Sequence, residues 1–242
     1  MHPIPISDVS PLLAPVQHDG FCFATADTMR PLLDAAGGLD DWQAFADSWN
    51  RLEPDAYIAA TGRSRRRRHA TFAADRDGIV QRPHQPHYQS LQYNPLQGNI
   101  QRWFEPLEPG VAQGQSLRSI LTFCHGFFDA LAPATEQWHV EVHQFRIEAT
   151  ADAAGEPTPE GSHRDGVDFV LVLLVDRENI ASGSTSIHSP DGAPLGEFTL
   201  THALDTALIH DPRVFHGVTP VLPIDPHRPS HRDVLVVTFR AV

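Results

Sequence analysis

Trp138-His139-Val140-Glu141-Val142-His143-Gln144-Phe145-Arg146-Ile147 is where the apolar period of this chain changes from that of a helix to two. Successive strand side chains point to opposite faces, so Val140, Val142, Gln144 and Arg146 are expected to share one face of a strand. Further strands are expected over 168–175, 184–188, 197–201, 206–210, 214–221 and 233–240. Turn-forming segments separate them at 152–161, 179–183, 190–192 and 223–230. Many short strands punctuated in this way predict an antiparallel sandwich or barrel. Phe169-Val170-Leu171-Val172-Leu173-Leu174-Val175 is apolar on both faces, as a strand buried between two layers would be.

Upstream the pattern is helical. Residues 24–36 run into Gly37-Gly38, a helix stop, and residues 39–52 place Trp42, Phe45, Ala46 and Trp49 at helical spacing toward a core. Residues 76–115 are rich in Pro, Gln, Asn and Gly and read as long loops with short strands. Leu117, Ile120, Leu121, Cys124, Phe127, Phe128 and Leu131 define an amphipathic helix over 115–131, stopped by Pro133. The expected architecture is mainly β with flanking helices. A single domain spans 1–242, with a helical, loop-rich part over about 1–135 and a β core over about 136–242.

The net charge is -12. An acidic surface opposes nonspecific contact with nucleic acid or anionic membranes. No apolar run is long enough for a membrane-spanning helix, and Met1 to Ile6 do not read as a signal peptide. Cys22 and Cys124 lie far apart in apolar contexts, which suits core residues of a cytoplasmic protein. Arg63-Ser64-Arg65-Arg66-Arg67-Arg68 reads as a strand or loop carrying surface arginines that pair with the acidic excess, rather than as a nucleic-acid contact. Every basic residue is arginine, so lysine Schiff-base and P-loop chemistry are excluded.

Two His-x-Asp patterns occur, His163-Arg164-Asp165 and His231-Arg232-Asp233, and either alone is weak. The first follows a Gly/Pro-rich loop and precedes the buried strand, so its two side chains point the same way. His216, on a later strand, would complete a set with them, and is preferred to His210 because its surroundings are more apolar. The second pattern has no histidine after it. Two imidazoles and one carboxylate hold Fe(II) with three positions open, two for a 2-oxo acid and one for O2. The same donors with water also suit a hydrolytic zinc. A 2-oxo acid's far carboxylate needs a fixed cationic fork, and Arg232 opens the last strand, expected to pair across a hairpin with the strand beginning at His216. Thr238 and Arg240 share its face. Gln144 and Arg146 are candidate substrate-binding groups if their face lines a barrel; an internal salt bridge is the alternative.

With these residues in view, the chain resembles the 2-oxoglutarate/Fe(II) dioxygenase superfamily. More closely, it is similar to the bacterial family containing free L-isoleucine hydroxylases and biofilm stress and motility proteins. The resemblance rests on 142–146, 159–169, 176–180, 216–221 and 231–237, and covers roughly 138–240 with weaker similarity back to about 50. It implies a double-stranded β-helix (jelly-roll, cupin-like) core. It further implies Fe(II) on His163, Asp165 and His216, with 2-oxoglutarate held by Arg232. The implied reaction uses O2 to hydroxylate a C–H bond of a small molecule such as a free L-amino acid, releasing succinate and CO2. Two other readings stay open at this point: a jelly-roll protein that binds metal and ligand without turnover, and a zinc hydrolase on a cupin-like barrel.

Overall fold

The computed structural model describes residues 6–59 and 63–242. The reading of Met1 to Pro5 lies outside the described residues. The strands in chain order are β1 (Phe21–Ala24), β2 (Glu53–Pro54), β3 (Arg66–Asp75), β4 (Gly78–Gln81), β5 (Gln137–Glu148), β6 (Phe169–Glu178), β7 (Ile180–Ser182), β8 (Ser184–His188), β9 (Pro194–Thr199), β10 (Thr206–His210), β11 (Phe215–Val218), β12 (Val221–Pro223) and β13 (His231–Ala241). The helices are α1 (Ile6–Asp19), α2 (Ala26–Ala36), α3 (Trp42–Asp47), α4 (Ala56–Ala59), α5 (Pro109–Ala112) and α6 (Gln115–Leu131).

An eight-stranded antiparallel sheet in the order β1-β10-β6-β13-β5-β3-β2, with β4 beside β3, forms one layer. A three-stranded sheet, β11-β8-β9, and the pair β12-β7 form the other. The layers follow from strand alternation. Phe169, Leu171 and Leu173 of β6, with Leu235, Val237 and Phe239 of β13, enter one core with Leu117, Ile120, Phe127 and Phe128 of α6. Phe128 stacks on Phe169 with ring centroids 4.9 Å apart. The alternate residues, Val170 with Ala207 and Ile209 of β10, pack toward Ile187 of β8. Helices cover one face of the large sheet and the small sheet covers the other, which is why β6 is apolar throughout. This is the jelly-roll arrangement.

Three departures from the sequence reading bear on the site. The part before residue 136 contributes β1, β2 and β3 to the large sheet, in addition to β4, which lies where short strands were expected. The arginine run leads into β3 and pairs with acidic residues as expected, Arg65 with Asp55 at 2.8 Å and Arg66 with Glu148 at 3.3 Å, but it is not wholly a surface feature, because Arg67 is buried. The stretch 214–221 splits into β11 and β12. β13 pairs with β5 and β6, whereas β11 pairs with β8, so the expected hairpin between Arg232 and the His216 strand is not formed. None of the described helices is long and apolar enough to cross a membrane.

Candidate active site

A cavity of about 490 Å³ lies between the two layers, and His163, Asp165, His216 and Arg232 all line it. His163 and His216 are brought side by side by backbone pairing between the loop before β6 and β11. His163 N–H donates to His216 O at 2.9 Å, and His216 N–H donates to His163 O at 3.0 Å. Their ring centroids are 4.6 Å apart. The Asp165 carboxylate reaches both, with Oδ1 3.7 Å from His163 Nε2 and Oδ2 3.4 Å from His216 Nε2. His163 Nδ1 lies 3.1 Å from Gly161 O, which fixes the N–H on Nδ1 in the neutral ring and turns the Nε2 lone pair toward Asp165.

The loop is held from behind by Asp211, in the short 3-10 turn that follows β10. Its carboxylate accepts the backbone N–H groups of Asp165 and Gly166, both at 2.8 Å, and of Val167 at 3.2 Å. Burial, and then the charge of Asp165, push the Asp211 carboxyl up to about 6. Gly166 sits at φ +81°, and a Cβ there would lie 2.5 Å from the Tyr93 ring, so the turn after Asp165 accepts only glycine. Burial works against a charged His163, but the Asp165 carboxylate, with Glu160 beyond it, outweighs burial and pushes His163 up to about 9. Burial also opposes the Asp165 charge, yet the two imidazoles hold its carboxyl well below the ordinary range.

Arg232 is 2% exposed and makes no hydrogen bond or ion pair with any described residue. Burial, and then the charge of Arg177, draw it down to about 10. A buried guanidinium with no counterion is costly unless an anion arrives to pair with it. Thr238 and Arg240 share its face and also line the cavity, Thr238 buried and Arg240 exposed.

Gln144 and Arg146 do not line the cavity. Their face of β5 turns toward the helices: Gln144 Nε2 donates to Ser48 Oγ at 2.8 Å, and Arg146 forks onto Asp233 at 2.8 and 2.6 Å. The internal salt bridge is therefore the arrangement found at Arg146. The opposite face of β5 lines the cavity with His139, Glu141, His143, Phe145 and Ile147. Three titratable residues at alternate positions, 139, 141 and 143, are the signal that marks this face in the sequence. Arg67, His87 and Arg102 complete the wall from β3 and the loop after β4. Arg102 is 1% exposed and donates only to neutral groups, Gln97 Oε1 and Gln89 Oε1, each at 2.9 Å.

Residues 46–238 match the family model for the 2OG-Fe dioxygenases. The chain belongs to the 2OG-Fe dioxygenase family. It is accordingly an oxidoreductase with requirements for Fe(II), 2-oxoglutarate and O2. It is 28% identical over 200 residues to an L-isoleucine-4-hydroxylase from Bacillus thuringiensis, covering 81% of each chain. It is 25% identical over 159 residues to a 3(1)-hydroxy-L-isoleucine 4-dioxygenase from Pantoea ananatis (strain AJ13355), covering 64% of each chain, just under two thirds. The crystal structure of a bsmA homolog from Methylobium petroleophilum PM1 superimposes with a TM-score of 0.85 at 35% identity, over 96% of this chain and 92% of that one.

Proposed function

We propose that His163, Asp165 and His216 hold the Fe(II), and that Arg232 takes the distal carboxylate of 2-oxoglutarate. The observation that carries this reading is the pairing, in one cavity, of a His-Asp-His set with a buried guanidinium lacking a counterion. The donor atoms of the set lie within 4.8 Å of one another. Two neutral nitrogens and one carboxylate suit Fe(II) with open positions. His216 Nδ1 is buried without a partner, whereas His163 is oriented by Gly161 O. Bound iron supplies the chemistry that couples oxidation of 2-oxoglutarate to succinate and CO2 with insertion of the other oxygen atom of O2 into a C–H bond.

The substrate we propose is a free L-amino acid or a closely similar small acid. Val172, Val234 and Val236 give the cavity an apolar floor, and Arg102 offers a buried cation that can take a carboxylate. The named relatives act on isoleucine and hydroxyisoleucine. The test is succinate release across free L-amino acids with Fe(II), 2-oxoglutarate, O2 and ascorbate. Substrate-dependent succinate together with an oxygenated product supports the proposal. Tight binding of metal and 2-oxoglutarate with no succinate from any amino acid would overturn the amino-acid assignment.

A further inference from the structure

Outside the His163-Asp165-His216 set, the same cavity wall carries a second convergent group. His69 on β3 lies in register opposite His143 on β5, and Glu141 stands two residues from His143 on the same face. His87 joins them from the loop after β4, held by reciprocal backbone hydrogen bonds with Arg102 at 2.9 Å. The donor atoms of His69, His87, Glu141 and His143 all lie within 4.8 Å of one another.

We propose that His69, His87 and Glu141 bind a second divalent first-row cation, separate from the one at Asp165. Glu141 Oε2 is 3.5 Å from His69 Nε2 and 2.5 Å from His87 Nδ1, the latter a short hydrogen bond whose proton a cation bound between the two atoms displaces. Two ligand atoms on one cation with bonds of ~2.0–2.1 Å lie about 2.9–3.4 Å apart, so these separations bracket the ligand spacing. At the His163 set the corresponding distances are 3.7 and 3.4 Å. His69 is fully buried, and neither of its ring nitrogens has a hydrogen-bond partner. A buried imidazole is not ordinarily left in that state, and a cation on Nε2 supplies what that nitrogen lacks.

The proton positions decide which histidines ligate. Arg67 Nη2 lies 2.7 Å from His143 Nδ1, and a guanidinium only donates, so Nδ1 accepts and the His143 N–H sits on Nε2. That N–H faces Glu141 Oε2 at 3.2 Å. His143 thus orients the carboxylate and does not ligate, leaving two imidazoles and one carboxylate as ligands. The nearby Arg67 charge is opposed by Asp55, 3.7 Å away. The third convergent group, Asp176, His231 and Asp233, lacks this freedom because Asp233 is engaged by the Arg146 fork.

The experiment uses the full chain, stripped with chelator, dialysed against buffered Zn(II) and assayed for zinc per chain. The expected result is two zinc ions in the wild type and one in His163→Ala/Asp165→Ala. Adding His87→Gln to that double variant is expected to remove the last ion. His87 lies in a loop, and a circular dichroism spectrum unchanged from the parent confirms that the added substitution leaves the fold intact. One zinc in the wild type and none in the double variant would overturn the proposal, as would zinc retained after His87→Gln. Because these counts do not depend on turnover, they are distinct from the succinate assay: the second site can fail while the dioxygenase reading stands, and the reverse.

Discussion

Replacing Arg232 by methionine separates the cost of this residue from its use. The side chain keeps much of its length and loses its charge. In the protein without 2-oxoglutarate the guanidinium is buried, unpaired and near Arg177, which draws it from 12.5 down to about 10. That displacement corresponds to about 3 kcal/mol against the charged form. A bound dicarboxylate that pairs with the fork offsets at least this amount, so its loss is worth on the order of 100-fold in affinity. The same substitution relieves the ligand-free protein of an uncompensated buried charge, and a gain of about 1–3 kcal/mol is expected, at ~2–4 °C of Tm per kcal/mol. Calorimetric titration of 2-oxoglutarate into the anaerobic Co(II)-loaded protein, with thermal melts of both forms, reads the two effects. Arg232→Met is expected to bind 2-oxoglutarate on the order of 100-fold more weakly and to melt several degrees higher without it. An affinity within threefold of the wild type, or a lower melting point, would mean that Arg232 is not an unpaired buried cation that awaits the dicarboxylate.

Further outcomes follow from the same geometry. Arg146→Ala removes the guanidinium fork from the buried Asp233 carboxylate and leaves it only His231, 3.6 Å away; a loss of ~3 kcal/mol is expected in chemical denaturation, with KM for 2-oxoglutarate unchanged. Asp211→Asn removes a charged acceptor from the Asp165–Val167 amides; a ~10–100-fold loss of metal affinity is expected from competition titration, with the far-UV spectrum retained. His163 in the metal-free protein holds its proton up to about 9, and a ligating imidazole must lose it. Metal affinity is therefore expected to rise by about tenfold per pH unit between roughly pH 7 and 9, then level off, when measured with Co(II) in the absence of oxygen. A flat profile would mean that no proton is displaced from the ring.

The fold is legible in this sequence where one local pattern decides it. The period-two run of β5, the doubly apolar β6 and the amphipathic α6 each carry their packing in their own residues, and α6 spans Gln115–Leu131, the segment read from its periodicity. What is less visible depends on a partner. β3 begins inside an arginine run that looks like a surface, and only its pairing with β5 turns Arg67 inward. In β5 the strand is plain but its face is not. Val140 and Val142 suggest a core face, and Gln144 and Arg146 on it look like cavity groups until Ser48 and Asp233 arrive from distant segments to take them. His163 and Asp165 can be read together because they stand two residues apart on one segment, although that segment is a loop bridged to His216 and not the start of β6. His69, His87, Arg102 and Glu141 come from separate segments, and no spacing announces their meeting.

In the proposed site His163, Asp165 and His216 would hold one iron, and Arg232 would anchor 2-oxoglutarate in the same cavity. The most direct test of this claim is the visible spectrum of the anaerobic protein with Fe(II) and 2-oxoglutarate. The expected result is a weak charge-transfer band in the wild type that needs both additions and is lost in His163→Ala. No band and no 2-oxoglutarate binding in the wild type, or a band that survives His163→Ala unchanged, would contradict the claim.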